Sequence, residues 1–181
     1  MVILIGGSSH TGKTYWAHEL VKRTHFSCLS LDHLKMGLIR SGYTHLTPED
    51  DDRMTGFLWP VVREMVKTAV ENQQDMIVEG CYFPIDWRRD FEKAYLKSIK
   101  MVWLVMTEAY IRSHVHDIRE YANVIERRLD DSGWCMEDLI QDNLMHLEAC
   151  RESGQRFVLI DRQYPGEHEI LQCLESQEEC L

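Results

Sequence analysis

The stretch "GGSSHTGKT", Gly6 to Thr14, directly follows the apolar run Met1-Val2-Ile3-Leu4-Ile5. A run of that length reads as a strand buried on both faces, and Lys13 to Arg23 behind it reads as a helix. Between the two, Gly7 to Thr14 fits GxxxxGK[ST] in full and in the setting the motif requires. Glycines in such a loop let the backbone curl until successive N–H groups point into one concavity. The positive end of the following helix adds its dipole at the same spot. The pattern predicts a phosphate-binding loop made of Gly7, Ser8, Ser9, His10, Thr11, Gly12, Lys13 and Thr14, with Tyr15 next on the helix. Lys13 is expected to reach the β- and γ-phosphates of a bound nucleotide and the Thr14 hydroxyl to hold Mg²⁺. The alternative is a glycine turn that merely lets the strand meet the helix, and all three fixed positions together weigh against it.

Outward from this loop, β-rich runs alternate with helical patterns, the signature of βαβ units around a parallel sheet. The expected strands are Val2 to Ile5, Phe26 to Leu31, Met76 to Glu79, Ile99 to Met106 and Phe157 to Ile160, each apolar enough to be covered on both faces. The expected helices are Lys13 to Arg23, Asp32 to Arg40, Glu49 to Asn72, a short one from Asp86 to Leu96, Glu108 to Asp130, Met136 to Glu152, and an acidic tail after Gly166 that frays at Cys180. Thr47 is expected to cap the third of these with Pro48 in its first turn, and Pro60 to kink it.

The 181 residues, 44% of them hydrophobic, suit one domain with one good core. A net charge of -10 argues against nucleic acid as a partner, because affinity for a phosphate backbone comes from a basic face. Six cysteines without a CxxC pair fit a reducing, cytoplasmic setting in which thiols pack as small hydrophobes. No leader opens the chain and no apolar stretch approaches a membrane span, so no membrane partner is expected.

Three strand ends, "GGSSHTGKT", "LSLDHLKMGLIR" and "MIVEGCYFP", resemble those of the P-loop kinases of small molecules and nucleotides, and the likeness runs over nearly the whole chain. It implies an α/β fold of three α/β/α layers, a P-loop NTPase fold with a five-stranded parallel sheet ordered 2-3-1-4-5. The single domain would cover residues 1–181, with a lid segment around 107–133. The segment "MIVEGCYFP" looks like the third-strand segment of adenylate kinases, with Glu79 and Gly80 closing the strand. Kinases of nucleoside monophosphates usually carry aspartate there and arginine after the proline, where this chain has Ile85. Asp32, just past the second strand, is similar to the acid that receives the proton in kinases acting on hydroxyl groups.

Phosphoryl transfer itself asks for held phosphates, a positioned acceptor and charge stabilisation. Asp32 and Glu79 end neighbouring strands at the carboxyl edge, where ligands of parallel sheets lie. Glu79 is therefore expected at the Mg²⁺ shell or the acceptor, and Asp32 at the acceptor's proton. Helix capping is the alternative for Asp32, and a buried salt bridge for Glu79. Arg112 and Arg119, two turns apart, can share one face of a continuous helix, and the resemblance implies a lid there whose arginines close over the transferring phosphate. A solvated face is the alternative, and it would account for Arg127 and Arg128 beside Asp130 and Asp131. If Trp87 lines an acceptor pocket, the neighbouring pair Arg88 and Arg89 would face an anionic acceptor, and surface solvation is the alternative. Trp59, Trp87, Trp103 and Trp134 are expected to pack. His114 and His116 lie about 200° apart on a helix and make no metal face.

These residues together predict a kinase that moves the γ-phosphoryl group of ATP, with Mg²⁺, to a hydroxyl of a small-molecule acceptor. Lys13, Asp32, Arg112 and Arg119 would be catalytic, Thr14 and Glu79 would serve the metal, and Asp32, Glu79 and Arg88 the acceptor. A nucleoside monophosphate kinase is one alternative. A nucleotide-dependent switch with slow ATP hydrolysis is another, although a switch needs no acceptor site. The acceptor's identity, and whether the protein is a monomer or homodimer, stay open at this point.

Overall fold

The structure, a computed structural model, describes residues 1–121 and 135–175. Five strands form one parallel sheet: β1 (Val2–Gly7), β2 (Ser27–Ser30), β3 (Met76–Glu79), β4 (Ile99–Met106) and β5 (Phe157–Ile160), in the order β2-β3-β1-β4-β5. This is the three-layer P-loop fold expected from the strand-end motifs. Successive strand residues point to opposite faces, so the apolar runs divide cleanly. Val2, Leu4, Val78, Met101, Trp103 and Val105 enter the core on one face of the sheet. Ile3, Ile5, Ile77, Val102, Leu104 and Met106 enter the core on the other. The edge strands depart from this pattern. In β2, Ser27 and Cys28 are exposed, because no further strand covers that side.

Helix α1 (Lys13–Thr24) packs on the second face through Trp16, Ala17 and Leu20. Helix α2 (Leu31–Arg40) follows β2 with no loop at all: Leu31 is fully buried as the first helical residue, so the strand ends one residue earlier than its apolar run suggests. Helix α3 (Asp51–Glu71) runs on through Pro60 and lines the first face with Met54, Leu58, Val62 and Val66. It starts later than the Thr47-Pro48 signal predicts. Asp50 Oδ2 instead accepts from the Thr47 N–H (2.8 Å) and hydroxyl (3.0 Å), so these residues close a turn ahead of the helix.

The stretch expected as one helix from Asp86 divides into a 3₁₀ turn (Trp87–Asp90) and α4 (Lys93–Leu96). Phe91 between them is extended and buried. The expected helix from Glu108 is likewise broken, into α5 (Glu108–Ser113) and α6 (Val115–Tyr121), with His114 at φ -120° and ψ 19° between them. Helices α7 (Met136–Glu152) and α8 (Glu167–Glu175) complete the layers. Among the described residues no helix is long and apolar enough to cross a membrane. The cysteines at 28, 81, 135, 150 and 173 are all free thiols, and burial pushes the Cys150 thiol up to about 12. The expectations for Arg127, Arg128, Asp130, Asp131, Trp134, Cys180 and the rest of the lid segment to 133 lie outside the described residues.

Candidate active site

The loop from Gly7 to Thr14 leaves the centre of the sheet at its carboxyl edge. Two glycines are required there by close approach as well as by dihedral. Gly7, at φ 140°, has the Leu104 carbonyl oxygen where a Cβ would come within 2.3 Å. Gly12, at φ 83°, has the Tyr164 hydroxyl at 1.8 Å from the same position. Inside the loop the Ser8 carbonyl accepts from Thr11 Oγ1 (2.9 Å) and from Lys13 Nζ (2.6 Å), and Lys13 is only 5% exposed. Helix α1 begins here with no side-chain cap and no acid in its first turn. Its first N–H groups and its positive end thus face the loop uncompensated, which is the arrangement that takes an anion.

Beside the loop stands Glu79, 1% exposed, at the end of β3, which pairs with β1 on one side and with β2 on the other. Thr14 Oγ1 donates to Glu79 Oε2 at 3.2 Å. A hydroxyl and a carboxylate side by side are hard oxygen donors. That set fits a Mg²⁺ ion, which takes one or two carboxylates and fills its shell with phosphate oxygens and water. Among the described residues no group of three or more histidine, cysteine or acidic side chains offers a closed metal cage.

The acceptor side is built from the start of α2 and the segment after β3. Ser30 pairs with Glu79 in register, and Leu31 packs under Gly80, where a Cβ would meet it at 2.6 Å. Asp32 therefore follows in the first turn of α2, two residues beyond the Ser30 that pairs with Glu79. Ser30 occupies the cap position, so Asp32 lies inside the first turn and is not the cap. Its neighbour is Tyr82, whose phenol is pushed up by burial, by the hydrogen bond to Asp51 and by the charges of Asp51 and Asp32. Behind it, buried Lys35 donates to Pro48 O (3.1 Å), Asp51 Oδ1 (2.6 Å) and Tyr82 Oη (2.8 Å), while Tyr82 Oη donates to Asp51 Oδ1 (2.6 Å). This clasp ties α2, α3 and the β3 end together. Ser9 Oγ lies 3.9 Å from Cys81 Sγ, joining loop and acceptor side.

The arginines are more dispersed. Arg112 Nε donates to Glu108 at 2.8 Å and its Nη1 lies 3.7 Å from Glu137, all three side chains being well exposed. Arg119 sits on α6, beyond the break at His114, so the two do not share one continuous helix. Arg88 is exposed, with its guanidinium 5.3 Å from the centroid of the Trp87 ring. Trp87 itself is fully buried and serves packing.

Three residues that no sequence motif marks come to the loop. Tyr164 donates its hydroxyl to Thr11 O at 3.1 Å and stacks on Trp16 at 6.3 Å and 8°. Asp142 and His146 arrive from α7, with His146 Nδ1 3.2 Å from Ser8 Oγ. The aromatic residue after the fifth strand was the one visible cue, and the polar pair on α7 looks like any solvated helix face.

The sequence profile described as an AAA domain matches residues 2–132. No curated protein matches the chain. Solved structures share its fold at low identity. A sugar kinase from Janibacter sp. HTCC2649 is 18% identical, with 99% of this chain and 95% of that one covered and a TM-score of 0.54. A gluconokinase from Sinorhizobium meliloti 1021 is 17% identical, with 98% and 91% covered and a TM-score of 0.55. A deoxyadenosine kinase from M. mycoides is 13% identical, with 99% and 100% covered and a TM-score of 0.59.

Proposed function

This chain belongs to the AAA domain family, and we propose that it is a kinase that moves the γ-phosphoryl group of ATP to a hydroxyl of a small acceptor. One observation carries the proposal: the phosphate loop, the Thr14–Glu79 oxygen pair and Asp32 converge on one sheet edge. The kinase names of structures with the same fold support it.

In this reading Lys13 exchanges the Ser8 carbonyl for phosphate oxygens, and the loop N–H groups with the α1 terminus hold the rest of the anion. Gly7, Ser8, Ser9, His10, Thr11, Gly12 and Tyr15 shape that cradle. Mg²⁺ held by Thr14 and Glu79 would neutralise charge on the β- and γ-oxygens. Asp32 accepts the proton that the acceptor hydroxyl must lose. Arg112 or Arg119 supplies positive charge as the phosphoryl group moves. The same edge would admit a nucleotide acceptor, but the position after the proline holds Ile85 where kinases of nucleoside monophosphates usually carry an arginine.

The test is ADP production from ATP and Mg²⁺ against sugars, hydroxy acids, aminoglycosides and nucleoside monophosphates, with Lys13→Ala and Asp32→Asn beside the wild type. Lys13→Ala should abolish transfer. Asp32→Asn keeps the side-chain volume but cannot take a proton, and should lose about a hundredfold in kcat while still binding ATP. Turnover by Lys13→Ala at the wild-type rate would refute the loop assignment. An Asp32→Asn enzyme as fast as wild type, with a monophosphate as the active acceptor, would replace the hydroxyl reading by a nucleoside monophosphate kinase. ADP formed with no acceptor would leave a slow ATPase switch.

A further inference from the structure

Helix α7 brings two ionisable side chains, one turn apart, to the phosphate loop. His146 Nδ1 lies 3.2 Å from Ser8 Oγ, 3.0 Å from the Asp142 carbonyl oxygen and 3.3 Å from Asp142 Oδ1. The two Asp142 oxygens can only accept, so Nδ1 carries a proton and a second proton would enter at Nε2. The Ser8 hydroxyl also reaches the Asp142 carboxylate, and the Lys13 charge acts on both residues. Trp103 of β4 closes the pair off, its ring 5.8 Å from that of His146. The groups facing His146 are thus Asp142 on its own helix, Ser8 and Lys13 on the loop and α1, and Trp103 on the sheet.

We propose that His146 is a positioning residue for the phosphate loop: with Asp142 it fixes the Ser8 segment, and in its imidazolium form it places positive charge beside the phosphates of a bound nucleotide. The proposal rests on the reading of Gly7 to Thr14 as a nucleotide site. Ser8 is the carbonyl that Lys13 grips, so whatever holds Ser8 also sets where Lys13 can turn when an anion enters. Burial pulls the His146 imidazole down, but its hydrogen bonds to Asp142 and the Asp142 charge outweigh that and leave it raised above its ordinary 6.5. An anion in the loop favours the charged ring further. By linkage, nucleotide binding then takes up a proton at His146, and affinity falls as the pH rises.

The experiment is calorimetric binding of ADP from about pH 6 to about pH 8.5, a span that covers histidine titration. Buffers of different ionisation enthalpy give the protons taken up. Wild type is compared with His146→Gln, which keeps an N–H donor for Asp142 but cannot titrate, and with Asp142→Asn and Lys13→Ala. Wild-type affinity should fall about threefold to tenfold more over this range than that of His146→Gln, with correspondingly greater proton uptake. Asp142→Asn should move the pH dependence to lower pH, a test that survives if His146→Gln does not fold. Equal slopes and equal proton uptake in wild type and His146→Gln, or an unshifted profile in Asp142→Asn, would overturn the role of His146 while Lys13-dependent binding left the nucleotide site standing. ADP binding that is absent, or unchanged by Lys13→Ala, would overturn both.

Discussion

Gly12→Ala should destabilise the protein by about 3 kcal/mol, and about half of that penalty should depend on a residue far away in sequence. An L-residue at φ 83° costs about 1–2 kcal/mol for the left-handed backbone alone. The new Cβ would also sit 1.8 Å from the Tyr164 hydroxyl, so the tyrosine must leave. Its departure forfeits the hydrogen bond to Thr11 O, worth about 1 kcal/mol, and the stack on Trp16, worth about 0.5–1.5 kcal/mol. In a Tyr164→Ala background that clash is gone and Gly12→Ala should cost only the backbone part, about 1–2 kcal/mol. Urea unfolding of the four proteins in the cycle gives the coupling directly. An equal cost of Gly12→Ala in both backgrounds would refute the claim that Tyr164 closes over the loop.

Arg112→Ala and Arg119→Ala separate the two arginines now that the helix between them is broken. At least one should lower kcat by about tenfold with an unchanged melting temperature, and equal activity in both single variants and the double variant would leave only a solvated surface. Lys35→Met should lose about 1–3 kcal/mol in chemical unfolding, because Pro48 O and the Asp51–Tyr82 pair are left with one partner fewer, and an unchanged midpoint would remove the clasp from the account. The Asp142–His146 pair gives stability a pH signature. Asp142 is held low despite burial, by its hydrogen bond to His146 and the nearby charges, so its contribution is present above the ordinary carboxylate range and lost as the pH falls through its folded pKa. His146 is raised, so its contribution is complete below about 6.5 and lost as the pH rises through its folded pKa. The difference in melting temperature between wild type and His146→Gln should therefore be largest in mildly acid solution and shrink above neutrality. A difference constant with pH would refute the ion pair.

What the sequence by itself determined is whatever rests on contacts between near neighbours in the chain. The GxxxxGK[ST] spacing needs only a strand, a turn and a helix in succession, and β1, the glycine loop and α1 follow one another in that order. The strands at Met76–Glu79, Ile99–Met106 and Phe157–Ile160 were legible for a similar reason, since each is a short, mostly apolar run set off by polar neighbours. Even there, neighbours far away in sequence decided detail. Leu31 falls in the helix and not in the strand, and its side chain packs where a Cβ on Gly80, 49 residues further on, would stand. Likewise, the charged pattern from Glu108 read as one helix until His114 broke it, and α-helical spacing alone says nothing of such a break. The residues that only the tertiary structure could bring to the site are Tyr164, Asp142, His146 and the Lys35 clasp. Their partners lie far off along the chain, as with Ser8 and His146, and a polar side chain carries no periodic signal that distinguishes facing a loop from facing water.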